Sequence, residues 1–150
     1  MTQAREEQPP LRYVVGFCFS PDYEWVALIR KNKPQWQAGL LNGIGGKVEP
    51  GERKGMAMMR EFKEEAGVLI PEYDWLHFRT EAFSTGARVH HFAHCATPDE
   101  WAAIRTMEAE EVGRVRADSI HLFPAVYNLP YLVPMARILL QYPARNRPLP

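Results

Sequence analysis

The hydrophobic positions of this chain fall mainly into short segments rich in β-branched and aromatic residues, a composition typical of strands. Segments 11–20 and 23–30 have this character and flank a Ser-Pro-Asp turn at 20–22, so they predict a β-hairpin. Segments 73–83 and 87–96, joined by a Ser-Thr-Gly turn, predict a second pair of strands.

Three segments carry the signals of helices. The first, 54–66, contains no proline and is followed by Gly67, which suits the left-handed conformation of a helix C-cap. A second helix, from 97 to about 107, opens with a threonine cap, a proline at its first position and the glutamate of a capping box. The last helix is expected over 129–141.

Shorter strands are expected near 41–48, within the glycine-rich loop 31–52, and near 112–116. Strands dominate both halves of the chain and helices are few. This pattern indicates an α+β fold with helices packed on a mixed sheet.

A length of 150 residues suits one domain with a sizeable core. We place that domain at 11–142, between a leader at 1–10 that is expected to be disordered and a proline-rich tail at 143–150. Basic and acidic residues balance at 18 each, so the chain has no general field that would attract nucleic acid or a membrane surface. An anion-binding site must therefore be built locally.

Targeting signals and cysteines narrow the class of protein further. No apolar run approaches the ~18 residues that span a bilayer, and the leader lacks the apolar core of a signal peptide. Cys18 and Cys95 lie in apolar segments; their number permits one disulfide, but two free thiols in a reducing compartment are expected. These features favour a cytoplasmic protein, monomeric or homodimeric, with neither nucleic acid nor a membrane as partner.

The candidate chemistry lies in the segment 46–68. On the predicted helix Glu61, Glu64 and Glu65 fall at i, i+3 and i+4, so three carboxylates emerge on one face within a turn. Their repulsion costs roughly 0.2–0.5 kcal/mol per pair, which a bound cation would remove. Hard oxygen ligands favour Mg²⁺ or Mn²⁺, and Glu52, in the loop before the helix, can fold back as a fourth carboxylate.

The loop before this helix supplies the second half of the candidate site. Three glycines within 43–46 let the backbone approach a ligand closely, and Lys47 adds a local positive charge. Arg60 can bridge to Glu64 or to Glu52 and so fix the carboxylates in position. The carboxylates alone would be typical of a solvated helix face, and it is their register with Arg60 and the glycines that favours metal binding.

This segment resembles the Nudix box, G-x5-E-x7-R-E-U-x-E-E-x-G-U, in which U is a bulky apolar residue. Every position of the pattern is met, by Gly46, Glu52, Arg60, Glu61, Phe62, Glu64, Glu65, Gly67 and Val68. The seven strict identities have a chance on the order of 10⁻⁸ per window at average residue frequencies. The resemblance implies the Nudix fold, an α/β/α sandwich around a mixed sheet, and a hydrolase.

The resemblance also assigns roles to individual residues. It implies that the box supplies the ligands of the Mg²⁺ ion: Glu61, Glu64 and Glu65, with Glu52 nearby and the Gly46 carbonyl as a candidate further ligand. It places another catalytic glutamate of the family near Glu111, with Glu110 beside it. We expect Glu61 or Glu111 to position or deprotonate the attacking water, and Arg60 to orient the carboxylates.

Outside the box, segments 41–52 and 129–140 resemble the lead-in and the final helix of the MutT-type nucleoside triphosphatases, which include enzymes that remove oxidised purine nucleotides. Asn42 matches an asparagine that contacts the base in that subgroup. The paired aspartates that read an oxidised purine would fall near Asn128 and Leu129, and neither residue is acidic.

The expected substrate contacts come from the loop: Asn42, Gly45, Lys47 and Trp36, an aromatic residue that can stack on a base. The proline that follows the box in ADP-ribose enzymes is replaced by Ala82 and Phe83, and the marks of NADH and coenzyme A enzymes are missing. We expect hydrolysis of a nucleoside triphosphate, with a modified nucleotide as one candidate, to monophosphate and pyrophosphate. The alternatives are a nucleotide-sugar, ADP-ribose or dinucleotide pyrophosphatase, and a domain that only binds nucleotide or RNA.

A zinc site at His90, His91 and His94 is a weaker alternative. On a strand His90 and His94 share a face with Phe92, while His91 points the other way, so only two of the three can converge. A place on the wall of the substrate cleft and ordinary strand positions are the remaining interpretations of these histidines.

Overall fold

The computed structural model describes residues 9–142. Within them one sheet is formed by seven strands: β1 (Arg12–Phe19), β2 (Trp25–Arg30), β3 (Leu41–Asn42), β4 (Ile44–Lys47), β5 (Leu76–Ala82), β6 (Arg88–Cys95) and β7 (Val112–Arg116). The α-helices of this region are α1 (Lys54–Ala66), α2 (Pro98–Ala103) and α3 (Leu129–Gln141). Apart from residues 9 and 10, which are exposed and without regular structure, the predicted leader and tail lie outside the described residues.

The sheet is mixed, as predicted. The strand order is β3-β2-β1-β6-β5, with β4 also paired to β1 and β7 to β2. β1 runs parallel to β6, whereas its pairs with β2 and β4 are antiparallel. Both predicted strand pairs are confirmed, since β1 pairs with β2 and β5 pairs with β6, each antiparallel.

Each face of the sheet is covered by a helical layer, because successive side chains of β1 point to opposite sides. Val14 packs in one buried cluster with Met58 and Phe62 of α1. Phe17 packs in a second buried cluster with Leu132 of α3. The molecule is therefore the expected α/β/α sandwich of the α+β class.

Helix α1 has the predicted bounds and the predicted cap. Its apolar stripe, which includes Met58, Phe62 and Ala66, is fully buried, so the opposite face is left for polar side chains. Gly67 follows with a φ of 76°, and its N–H donates to the Lys63 carbonyl at 3.0 Å. Glycine suits this left-handed position because it carries no Cβ.

Helix α2 is shorter than the predicted 97–107, although the capping box at Thr97 is present. Beyond its end the chain runs along the C-terminus of α1, where the Met107 N–H donates to the Glu65 carbonyl at 3.2 Å. This bond satisfies a helix-end carbonyl that has no partner within α1, and it takes the N–H away from a longer α2. The following acidic segment is thereby held beside α1.

The structure also contains features that bear on the cysteines and on the loops. Cys18 is buried, Cys95 is partly buried, and both are free thiols. Short 3₁₀ turns at Gln35–Gln37, Glu72–Asp74 and Ala117–Leu122 were not predicted. Within residues 9–142 no helix has the length and apolar character required to cross a bilayer.

Candidate active site

Arg60, on the polar face of α1, joins the loop carboxylate to the helix carboxylates. Its Nε and Nη2 donate to the two oxygens of Glu52, each at 2.9 Å, which forms a bidentate pair. Its Nη1 donates to Glu61 at 2.8 Å and to Glu64 at 3.3 Å, and its Nη2 also reaches the Lys47 carbonyl. The hydrogen bond with Glu52 is the main cause that raises the pKa of Arg60 and lowers that of Glu52. The sequence left two partners open for Arg60, and both are engaged.

Two glycines of β4 bring its backbone against α1. The Gly45 N–H donates to Glu65 Oε2 at 3.2 Å. A Cβ at Gly46 would lie 2.5 Å from the Glu61 carboxylate, and a Cβ at Gly45 would lie 1.8 Å from the Val14 carbonyl oxygen. Neither position accepts a side chain unless a neighbour moves, so glycine is required for this close approach.

Glu61 and Glu65 are shielded carboxylates. Glu65 is 8% exposed, and burial, followed by the charge of Glu61, raises its pKa to about 8. Burial also raises the pKa of Glu61, an effect that Arg60 opposes and that the charges of Glu64 and Glu108 reinforce. A further positive charge beside this pair would favour the ionised form of both carboxylates.

The donor set fits a hard divalent cation. Mg²⁺ prefers carboxylate and carbonyl oxygens, keeps several waters, and is usually held by one or two carboxylates together with substrate phosphates. Within residues 9–142 no group of three or more acidic, histidine or cysteine side chains is already arranged to hold a metal ion.

Acidic residues at 108–111 follow the segment that runs beside α1. Glu110 accepts a hydrogen bond from Lys31 Nζ at 2.9 Å. Lys31 lines the cleft, so this bond holds Glu110 beside the cleft wall. Burial, followed by the charge of Glu61, raises the pKa of Glu65, and the charge of Glu110 adds to this effect. Glu111, the residue indicated by the resemblance, is exposed.

A cleft of ≈ 480 Å³ opens on the face of the sheet opposite α1 and reaches Gly45 and Gly46. The four residues expected to contact substrate all line it: Trp36, Asn42, Gly45 and Lys47. Trp36 is 71% exposed, so its indole is available to a ligand. The Asn42 amide oxygen accepts the Gly43 N–H at 2.8 Å, which leaves the amide hydrogens of Asn42 for another acceptor.

Strand register sets the length of this cleft. Lys47, Tyr13, Val89 and Glu81 are successive partners across β4, β1, β6 and β5, and all four line the cleft. Three strand spacings of ~4.8 Å separate the Lys47 and Glu81 backbones by about 14 Å. Lys47 therefore lies at the end near the box, and Glu81 lies at the far end.

The far end carries polar residues, of which the sequence analysis considered Asn128 and His91 but not Glu81 or Tyr127. Asn128 Nδ2 donates to Glu81 Oε2 at 3.1 Å, and the Tyr127 hydroxyl donates to Glu81 Oε1. His91 also lines the cleft and is 3% exposed, and its Nδ1 has no hydrogen-bond partner among residues 9–142. Burial lowers the pKa of His91 to about 4, so its ring is neutral at pH 7.

The other two histidines of β6 occupy the opposite face, as the alternation predicted. His90 Nδ1 shares a hydrogen bond with the Thr80 hydroxyl at 2.9 Å. His94 bonds to Glu100 at 3.0 Å and to the Asp74 carbonyl at 3.1 Å. Both histidines are buried in the packing of β6. Neither belongs to a group of three metal-binding side chains in the part of the chain that the structure describes.

Solved structures with the same fold cover most of this chain. A structure of MutT, from a study of the Aliivibrio salmonicida and Vibrio cholerae proteins, has a TM-score of 0.71 at 21% identity and covers 85% of this chain and 97% of its own. The NUDIX domain of Shewanella oneidensis NrtR, complexed with ADP ribose, has a TM-score of 0.72 at 17% identity, covering 89% and 90%. The E. coli ORF135 protein has a TM-score of 0.65 at 22% identity, covering 95% and 99%.

At these identities the likeness to solved structures shows the fold. The family is shown by a match to a family model, whereas a search of curated proteins gives no match. The family model described as NUDIX domain matches residues 9–135, which include the whole box at 46–68. The chain therefore belongs to the NUDIX domain family.

Proposed function

We propose that this enzyme hydrolyses a nucleoside triphosphate to the monophosphate and pyrophosphate, with Mg²⁺, or Mn²⁺ in its place, as cofactor. The observation that carries the proposal is the continuity of the cleft with the acidic face. The cleft reaches Gly45 and Gly46, and the same two glycines lie against Glu65 and Glu61. A nucleoside bound in the cleft would therefore direct its phosphates toward these carboxylates.

The metal would be held by oxygen ligands of the box: Glu52, Glu61, Glu64, Glu65 and the Gly46 carbonyl. When bound, Mg²⁺ neutralises phosphate charge and lowers the pKa of a water that attacks phosphorus. Arg60 would orient the metal ligands and would not bind the substrate. The reason is that its N–H groups already donate to three carboxylates, those of Glu52, Glu61 and Glu64, and to a backbone carbonyl.

Two lysines on the cleft wall would offset the phosphate charge. Lys47 follows the glycines directly, and Lys31 lines the cleft while bonded to Glu110. The attacking water would be positioned or deprotonated by Glu61 or by an acid of 108–111. The family pattern favours Glu111 in that loop, whereas the bond to Lys31 of the cleft wall favours Glu110.

Other pyrophosphate substrates are the main alternative. A structure with this fold contains ADP ribose, and the open cleft does not sterically demand a short ligand. A domain that only binds nucleotide is less well supported, since all four box glutamates and Arg60 are retained.

A substrate panel tests the proposal. The protein is incubated with Mg²⁺ and ribo- and deoxyribonucleoside triphosphates, ADP-ribose, a nucleotide sugar and a dinucleotide polyphosphate, and released pyrophosphate and orthophosphate are measured. We expect pyrophosphate from at least one triphosphate and its loss in Glu61→Gln but not in Glu24→Gln, an exposed glutamate far from the box. Turnover confined to the other substrates would refute the substrate class. Binding without any turnover would refute the enzymatic assignment of this site.

A further inference from the structure

The far end of the cleft carries a carboxylate, Glu81, that lies too far from the box to act on the phosphates. Glu81 lies about 14 Å from Lys47 along the strand register and has no contact with the box. A negative charge on the cleft wall would repel phosphates that lay beside it. A nucleotide in this cleft would therefore place its uncharged end, the base or the sugar, beside Glu81.

Two neighbours fix the orientation of Glu81. Tyr127 donates to one carboxylate oxygen and Asn128 donates to the other. Both neighbours are donors, so the carboxylate acts as an acceptor on each side. Each oxygen can accept a further hydrogen bond, and the oriented group therefore offers two adjacent acceptors to a ligand.

The surroundings of Glu81 suit a flat ring better than a sugar. Phe83, Val89 and Val126 line the same part of the cleft, and the neutral ring of His91 lies two positions along β6 from the strand partner of Glu81. Aromatic and aliphatic walls bury the faces of a base, while a few placed polar groups read its edge.

We propose that Glu81 is the base-selecting residue of this enzyme and that it binds guanine through the adjacent N1–H and N2–H donors of that base. The inference rests on the proposed function in so far as the ligand is a nucleotide bound in this cleft. Adenine presents an acceptor at N1, which a carboxylate rejects, and hypoxanthine lacks the amino group at position 2. Asn42, whose amide hydrogens are left for an acceptor, offers a complementary donor to the guanine oxygen.

The catalytic test compares GTP, ITP and ATP, which differ at the base alone. With the wild-type enzyme, kcat/KM should fall in that order, with GTP at least about tenfold above ATP. Glu81→Gln keeps the side-chain shape but replaces one acceptor oxygen with an amide donor. The ratio of kcat/KM for GTP to that for ATP should therefore fall most of the way to one, while pyrophosphate remains the product. Glu24→Gln, which is outside the cleft, should leave the ratio unchanged. Equal use of GTP and ATP, or a ratio that Glu81→Gln does not alter, would overturn the assignment.

A binding test separates this inference from the proposed reaction. Calorimetry with GMP and AMP, in EDTA, needs neither metal nor turnover, and GMP should bind at least about tenfold more tightly. Tyr127→Phe removes only the hydroxyl of a residue that is 72% exposed, so it should fold normally and lose part of the preference even if Glu81→Gln does not fold. If GMP is preferred but no triphosphate is cleaved, the base assignment stands and the proposed reaction fails. If triphosphates are cleaved but GMP and AMP bind equally, the proposed reaction stands and the role of Glu81 fails.

Discussion

Arg60 organises the acidic face of α1 through its hydrogen bonds. It holds the loop carboxylate of Glu52 and two carboxylates of α1 at the same time. Removal of one weakly held partner leaves the rest of this network in place. Glu64 is that partner, because its side chain is 46% exposed and its bond to Arg60 is the longest of the three carboxylate contacts, at 3.3 Å.

Glu64→Gln should separate activity from stability. The substitution removes a charge from the metal site but breaks no buried contact, so activity should fall by ~10²-fold or more while the melting temperature barely changes. Steady-state kinetics at several Mg²⁺ concentrations and a thermal melt measure the two effects. Glu49→Gln, an exposed glutamate at an unspecified position of the box, is the matched control. Near-normal turnover of Glu64→Gln at saturating Mg²⁺ would show that Glu64 is not a metal ligand.

Asn42→Ala should change base preference and leave the chemistry intact. The amide lies on the cleft wall, on the opposite face from the buried stripe of α1, and can donate to a base. Loss of it should reduce discrimination between bases by roughly 1–3 kcal/mol, measured as the ratio of kcat/KM values across the nucleoside triphosphates. A mutant with the wild-type ranking of bases would place recognition elsewhere in the cleft, with Trp36 and Asn128 as the next residues to change.

Gly45 and Gly46 allow strand β4 to pack closely against its neighbours. A side chain at each position would clash with a different group. At Gly46 the obstacle is the end of the Glu61 side chain, which can move. At Gly45 the obstacle is the backbone carbonyl of Val14 in the neighbouring strand, which cannot move without breaking the β1–β4 pairing. The same substitution should therefore affect function at one position and folding at the other.

Gly46→Ala should lower activity more than stability, and Gly45→Ala should do the reverse. The new methyl group at 46 displaces Glu61 from the position it takes beside Arg60, whereas overpacking against backbone at 45 should cost about 1–3 kcal/mol or more in the free energy of unfolding. Urea unfolding curves and turnover on the two purified variants test the contrast. Equal losses of stability at both positions would mean that the β4–α1 contact is as rigid at Glu61 as it is at Val14.

Features built from neighbouring residues could be predicted from the sequence, whereas contacts between residues far apart in the chain could not. The box residues, the bounds of α1 and its glycine cap follow from one continuous segment, so local spacing was enough to predict them. Glu81 was not predicted because its partners Tyr127 and Asn128 are 46 and 47 residues away, and only the fold brings them together. Helix α2 was overestimated for the same reason, since its end is set by a bond to α1.

The sandwich as a whole places the candidate nucleoside cleft on one face of the sheet and the acidic face of α1 on the other. α1 and its carboxylates cover one face, the cleft opens on the other, and the glycines of β4 form the part of the sheet between them. Carboxylate charge is thereby concentrated at the margin of a folded core, where repulsion between Glu61 and Glu65 opposes folding. A cation bound there should favour the folded state.

Mg²⁺ or Mn²⁺ should therefore raise the melting temperature of the wild-type protein. The shift should increase with metal concentration, because a ligand that binds the folded state alone stabilises it by mass action. Differential scanning fluorimetry with Mg²⁺, with Mn²⁺ and with the same ionic strength of NaCl measures it. Glu64→Gln should show a smaller shift than Glu49→Gln. A shift that NaCl reproduces would be general screening and not metal binding.

In the proposed reaction the activated water attacks an inner phosphorus of a nucleoside triphosphate. The oxygen ligands of the box would hold the metal at the Lys47 end of the cleft. A nucleotide whose base lies toward Glu81 would bring its first phosphates to this end before the terminal one, which favours attack at an inner phosphorus. Hydrolysis in ¹⁸O-water, followed by mass spectrometry of both products, locates the attacked atom. We expect label in the nucleoside monophosphate or the pyrophosphate and none in orthophosphate. Labelled orthophosphate together with a nucleoside diphosphate would show attack at the terminal phosphorus and would contradict the proposed reaction.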